Sequence, residues 1–461
     1  MRDTSYVQFH GVDCILIEEN ENISLLLKDP NDITQIRPYL EDHNFFLNYE
    51  GTIGFQSTAF IERMSFDINH IIKLLPRYIV NRYHINSFNG FELTGEVIDD
   101  FFSPSRYFYD QKKNTTKSSV DLVYNKEIAE SWKIKFEKHS VCIILSFGDI
   151  LQKGIASDLM LHAKLTVEFE NTSDLAFLYR LYCMVIRFLQ IIRYDTKCGK
   201  LQINLFHTKD GRKSYNGYLR DFSIDEEQFL LANHKLEYEG FKPYIQKFLQ
   251  FAADNTDYTF HHYPSKGIRF RGRDYSAVDY MNIFAAFESE CHLKKELYEK
   301  VDTTKIQSIK DCIISQLNAY PTEVLTTQEL NFLNNAKVRI LQLGTQFGQT
   351  KKIINAYEVL HNAMDGSIEN IFYLPEFRLK GPLREKNLKE IANFLTEKRG
   401  AIAHGRFSSM FSDTDAQKIR FLEILTYAQM LKRVGLEDSD IERVIGAVFS
   451  CNYILFNEQF R

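Results

Sequence analysis

With 461 residues, 44 % hydrophobic and 25 % charged, the chain has ordinary globular composition and room for two or three cores, which excludes wholesale disorder. The formal net charge of −5 excludes a global basic field, so any contact with nucleic acid must use a local patch. The 37 Phe and 25 Tyr beside a single Trp suit a Phe-filled core with Tyr at its margins, although surface tyrosines would also stack on bases.

Residues 1–222 read as a β-rich domain. Short apolar runs at 14–18 and 23–28 flank the turn-forming Asn20-Glu21-Asn22, and further strands are expected at 45–49, 91–97 and 120–124. Residues 132–136 alternate cleanly and lead into 141–147, and strict alternation at 164–170 closes the set. Many short strands divided by Asn, Gly and Asp predict an antiparallel sheet, sandwich or barrel. The period then changes: a helix opens after Asn171, with Thr172 or Ser173 as N-cap and Asp174 in its first turn, and runs to about Tyr194. Arg180 and Arg187 interrupt its apolar run from Leu175 to Ile192, which predicts a buried helix of a soluble protein and no membrane partner. Strands at 201–206 and 214–219, joined by a turn at Lys209-Asp210-Gly211, complete the domain.

Residues 223–274 read as a helical connector with a basic segment, and 275–461 as an all-helical domain, so the fold class expected is α+β. Helices are predicted at 241–254, 275–300, 303–319, 327–345, 349–364, 386–404, 414–434 and 438–456, with Pro321, Pro375 and Pro382 between them. The seven cysteines, Cys14, Cys142, Cys183, Cys198, Cys291, Cys312 and Cys451, form no Cys-x-x-Cys pair. That argues for reduced thiols in a cytoplasmic protein and against a zinc knuckle or a disulfide framework. Residues 1–20 carry Asp3, Asp13, Glu18 and Glu19 and no apolar signal-peptide core.

Chemistry concentrates in the helix before Gly405. Leu388, Ile391, Ala392, Leu395 and Ile402 recur at three- and four-residue steps and make one apolar stripe. Arg399 falls on that stripe, where a guanidinium is costly unless it meets a carboxylate, a phosphate or an interface. Gly405 suits the left-handed position after a helix, which places His404 at the helix end. Two readings of the residues stand: Arg399 pairs with a core acid and His404 merely caps the helix, or the two act together on a phosphate.

Arg399-Gly400-Ala401-Ile402-Ala403-His404-Gly405, on a late helix after the long amphipathic helix around Asp279–Glu290, resembles the R-x(4–6)-H signature of HEPN ribonucleases. The resemblance covers roughly residues 275–456, and the layout of a β-rich domain followed by this segment is similar to ApeA-type anti-phage defence proteins. It implies a metal-independent, cofactor-free endoribonuclease of the abortive-infection kind, with a phage-derived trigger. Arg399 would hold the scissile phosphate and His404 would act as general acid or base. It also implies a homo-oligomer through the HEPN domain, with the β-rich domain as sensor and RNA, transfer RNA among the candidates, as substrate. Active members often carry a polar residue after the arginine, where this chain has Gly400. The alternative is a non-catalytic dimerisation or interaction module with a ligand-recognising β-rich domain.

Lys266, Arg269, Arg271 and Arg273, with Phe270 among them, form the densest basic segment, and with Arg406 they are candidate RNA contacts. A solvated connector explains the same segment. His261-His262 near Asp257 lacks the rest of a metal-ligand set, so no metal is expected. Gly344-x-x-x-Gly348 with Lys351-Lys352 lacks the end of a P-loop, and no Gly-x-Ser-x-Gly elbow is present.

Overall fold

A computed structural model describes residues 2–19, 22–39, 43–50, 55–66, 71–83, 87–104, 128–150, 160–194, 198–222, 238–254, 275–298, 303–323, 325–342, 348–371, 385–406 and 411–449. The chain divides into two compact units, Met1–Thr256 and Asp257–Arg461.

Apart from single helical turns, the first unit runs β1 Arg2–Phe9, β2 Val12–Glu19, β3 Asn22–Leu27, β4 Phe45–Glu50, β5 Gln56–Phe66, β6 Ile71–Arg82 and β7 Phe88–Gly95. It continues with α1 Glu96–Phe102, β8 Ile128–Phe136, β9 His139–Ile150, β10 Met160–Thr172, α2 Leu175–Arg193, β11 Leu201–Lys209, β12 Arg212–Asp221 and α3 Ile245–Asp254. The twelve strands form one antiparallel sheet ordered β1-β2-β3-β6-β12-β11-β7-β10-β9-β8, with β5 and then β4 branching from β6. The expected β-rich, antiparallel architecture is therefore present. β1, β5 and β6 lie outside the strands expected from the sequence, and the expected strand at 120–124 lies outside the described residues.

β6 is the junction. Ile71–Leu74 pair with β3 and Tyr78–Arg82 pair with β12 along one edge, while β5 runs along the other. Pro76 sits at the hand-over between β3 and β12, beside register shifts in the β5 ladder. A residue without an N–H is tolerated there because no bond to the first edge is required. Phe9 of β1 and Phe45 of β4 have ring centroids 5.7 Å apart. The first six strands thus roll around a common core that includes Phe9, Leu16, Leu25, Ile61, Ile72 and Ile79.

The helix expected after Asn171 covers the other end of the sheet. Phe177 meets Phe136 of β8 and Phe169 of β10, and Tyr179 stacks on Tyr78 of β6 with centroids 3.9 Å apart. Its cap corrects the expectation: Asp174, not Thr172 or Ser173, is the N-cap and accepts from the amides of Ala176 and Phe177 at 2.9 and 3.0 Å. A carboxylate satisfies two orphan N–H groups and complements the dipole, whereas Thr172 Oγ1 accepts from Asp174 one step outside. The Leu175–Ile192 stretch is apolar and long enough to cross a membrane, and 67 % of it is buried in the protein. Arg180 pairs with Glu137 at 2.7 Å, and Arg187 donates to the Ala252 carbonyl at 3.2 Å. The turn at Asp210-Gly211 has φ of +51° and +75°, as a two-residue hairpin loop requires. α3, from the segment read as a connector, docks on the edge strand β8. Gln250 bridges the Lys135 amide and carbonyl at 2.9 and 3.0 Å, and Gln246 donates to the Lys133 carbonyl at 3.0 Å. Those bonds occupy edge groups that would otherwise template another strand.

The second unit comprises α4 Ala277–Leu293, α5 Thr303–Asn318, α6 Thr327–Gln342, α7 Gln349–Ile371, α8 Glu385–Ala403, α9 Asp413–Val434 and α10 Asp438–Phe449. No strand occurs among its described residues, as the change of period predicts. Ser276 with Asp279 and Ser412 with Asp415 form capping boxes that start α4 and α9. α4 packs on α8 and α9, and α7 packs on α8, α9 and α10. Within this bundle Glu290, 1 % exposed, receives a two-pronged guanidinium from Arg433 at 2.8 and 2.6 Å.

Candidate active site

α8 buries most of the stripe that the sequence predicts: Leu388, Ile391, Ala392 and Leu395 are buried, while Ile402, in the last turn, is only partly so. The step after Leu395 is Arg399, where the bundle begins to open and the side chain is 38 % exposed. Its Nη2 lies 3.4 Å from Glu288 Oε2 of α4, and its guanidinium carbon is 5.8 Å from the centre of the Phe284 ring, one turn earlier on the same helix. Arg399 Nε is buried and has no hydrogen-bond partner among the described residues. Gln349, at the start of α7, donates to the other oxygen of Glu288. One carboxylate therefore gathers α4, α7 and α8. Below it the Tyr280 hydroxyl donates to the Leu395 carbonyl, and burial pushes the Tyr280 pKa upward, keeping it a neutral donor.

α8 ends as expected. Gly405 takes φ of +66°, the Arg406 amide donates to the Ala401 carbonyl at 2.8 Å, and the Gly405 amide donates to the Ile402 carbonyl at 2.9 Å. This paired closure leaves His404 as the last helical cap, exposed, with Arg406 exposed beside it. Five residues of helix separate Arg399 from His404 by roughly 7.5 Å along the axis and about 140° around it. The arginine leans on α4, while the histidine is exposed at the helix end. A Cβ on Gly400 would meet no atom within 4 Å, so packing does not demand glycine between them.

Arg399, His404 and Arg406 thus share one helix end, whereas Lys266, Arg269, Arg271 and Arg273 lie outside the described residues, as do His261 and His262. Among the described residues no three His, Cys, Asp or Glu side chains group as a metal site would. The cysteines described are free thiols. Burial pushes Cys14 and Cys183 up to about 11, which leaves them weak nucleophiles near neutral pH. The sequence reading missed Glu288, Phe284 and Gln349. The signal for Glu288 was available: it continues the Tyr280–Phe284 step of α4 by four residues, so it is an acid on an apolar face, the mirror of Arg399. No protein-family profile, curated protein or solved structure matches this chain.

Proposed function

We propose that this protein is a metal-independent endoribonuclease of the HEPN kind, with Arg399 and His404 as its reacting groups. One observation carries the reading: a permanently charged guanidinium sits in a half-open notch, 3.4 Å from Glu288 and beside the Phe284 ring, just before an exposed histidine on the same helix. An anion reaching that notch would find guanidinium N–H groups that the 3.4 Å contact to Glu288 does not use. RNA supplies its own nucleophile. A base takes the 2′-OH proton, the 2′-oxygen bonds to phosphorus, the bond to the 5′-oxygen breaks, and an acid protonates that leaving oxygen. Arg399 stabilises the charge on the phosphate, and His404 performs one of the two proton transfers. A second histidine would come from a second copy joined through the helical domain, which makes the active species a homo-oligomer.

Unpaired RNA, such as a transfer-RNA loop, is the substrate class in this reading, because an A-form helix resists alignment of the 2′-OH with the leaving oxygen. The biological role that follows is cytoplasmic anti-phage defence of the abortive-infection type, with the β-rich unit answering a phage-derived trigger. Incubation with total RNA in EDTA tests the chemistry: cleavage leaving 2′,3′-cyclic phosphate and 5′-OH ends, lost in His404→Ala, is expected. A requirement for Mg²⁺, or 3′-OH ends, would reject these roles. The Arg399–Glu288 pair itself favours a second reading, a non-catalytic interaction module in which Arg399 ties α8 to α4. In that case the purified protein leaves RNA intact and His404→Ala changes nothing.

A further inference from the structure

The helical unit carries a surface that the proposed chemistry does not use. α5 and α6 form an antiparallel hairpin, in which the inner sides are marked by Lys310, 5 % exposed, and Leu333, 9 % exposed. Lys310 Nζ donates to the Leu341 carbonyl at 2.8 Å, tying the middle of one helix to the end of the other. Helical periodicity from these two anchors puts Ile309 and Ile313 of α5 on the same broad face as Phe332 of α6, and Tyr320, two residues beyond α5, lines a hollow beside Phe332. Ile309, Ile313, Phe332 and Tyr320 are 60 %, 38 %, 76 % and 55 % exposed. The hollow measures about 420 Å³ and is floored by Leu317, Leu325 and Leu333. The face therefore has a ridge, Ile309 and Ile313, toward the base of the hairpin and a hollow toward its turn.

We infer that this face binds a second copy of the same chain, hairpin against hairpin about a two-fold axis, to make a four-helix bundle. Three features favour a copy over an unrelated partner. A two-fold operation sets the turn end of one hairpin on the base end of the other, so each ridge meets the opposing hollow, as a self-complementary patch requires. The same operation brings Glu329, at the rim of the hollow, toward Arg339 of the other copy, because the two stand about 15 Å apart along α6. Glu329 Oε2 already accepts from the Thr326 amide and hydroxyl at 2.9 and 2.7 Å, and its second oxygen remains for an incoming guanidinium. The four exposed side chains offer on the order of 500 Å² of mostly apolar surface, close to the nonpolar share of the ~800 Å² per partner in a standard interface. Two hairpins joined this way have the short-loop, antiparallel geometry of a helical bundle. The inference rests on the hairpin alone: α5 and α6 carry neither Arg399 nor His404, so this contact is separate from the pairing of copies that the ribonuclease reading requires.

The test is the mass of the full-length protein by light scattering and sedimentation over a range of concentrations. Wild type should be at least dimeric in the low micromolar range. Phe332→Asp and, separately, Ile309→Asp should weaken the dimer by at least ~30-fold, as truncating a central hot spot does. Both should keep the wild-type far-ultraviolet circular dichroism, since both side chains are exposed in the single chain. Glu329→Arg and Arg339→Glu should each weaken the dimer, and the double exchange should restore it, a rescue that loss of the Thr326 cap could not give. A monomeric wild type, a dimer indifferent to Phe332→Asp and Ile309→Asp, or a double exchange no tighter than its parents would overturn the proposal. The second of these results would place self-association on another surface.

Discussion

Helix α4 carries two glutamates two residues apart, each meeting an arginine, and the two pairs behave as opposites. Glu290 is 1 % exposed and takes both prongs of Arg433 at 2.8 and 2.6 Å. Glu288 is partly exposed and holds Arg399 by one contact of 3.4 Å, with Nε of that arginine unsatisfied. The first pair is closed: its charges are desolvated and neutralise each other, and nothing is left for a ligand. The second is open at the mouth of the bundle, and water or an anion can compete with the carboxylate. An arginine–glutamate pair is thus a structural pin or a charged receptor according to how completely its donors are used, and the surrounding helices set that.

Breaking the closed pair should give the largest effect. Arg433→Ala strands a buried carboxylate and is expected to cost about 3–5 kcal/mol of stability, read by urea or thermal unfolding. Glu290→Gln combined with Arg433→Met should recover much of that loss, because the buried charge disappears along with its partner.

His404→Ala addresses the open end. Cleavage in EDTA should fall on the order of 100- to 10,000-fold, while the melting transition moves by no more than about 1 kcal/mol, since the exposed cap buries little. Equal cleavage by this variant would move the chemistry elsewhere in the chain.

Arg399→Ala contrasts directly with Arg433→Ala. Its half-exposed pair should be worth less than about 1 kcal/mol to stability, whereas RNA cleavage should drop on the order of 100- to 1,000-fold as a phosphate-stabilising donor is lost. A stability loss as large as that of Arg433→Ala would make both pairs structural and favour the interaction-module reading.

The smallest expected effect is Gly400→Ala, which should stabilise α8 by about 0.5–1 kcal/mol. The added methyl has open space around it, so a measured loss would mean that the backbone here needs glycine's freedom.

The local features of this chain were legible in the sequence because their causes are local. The stripe of α8, the left-handed Gly405, the Asp210-Gly211 turn and the change of period after residue 222 each depend on neighbours within a few residues. Even there the N-cap of α2 went to Asp174, since several adjacent residues could cap and the geometry of two amide bonds decided among them. Strands β5 and β6 were harder to read. Pro76 interrupts the β6 pattern, and its tolerance depends on which strands flank that edge, a matter of pairing between segments distant in the chain. Which acid each of the two arginines meets was likewise beyond the sequence, although the spacing of α4 marks Glu288 as an acid on an apolar face. Residue spacing put Arg399 on an apolar face, but only the packing of α4, α7 and α8 brought Glu288 to it and Gln349 to the other oxygen of that carboxylate. The sequence by itself determined where charges meet apolar faces, because helical period is a property of the backbone. The tertiary structure alone decided which charge each one meets and how much water remains beside it, because burial and pairing are set by helices far apart in the chain.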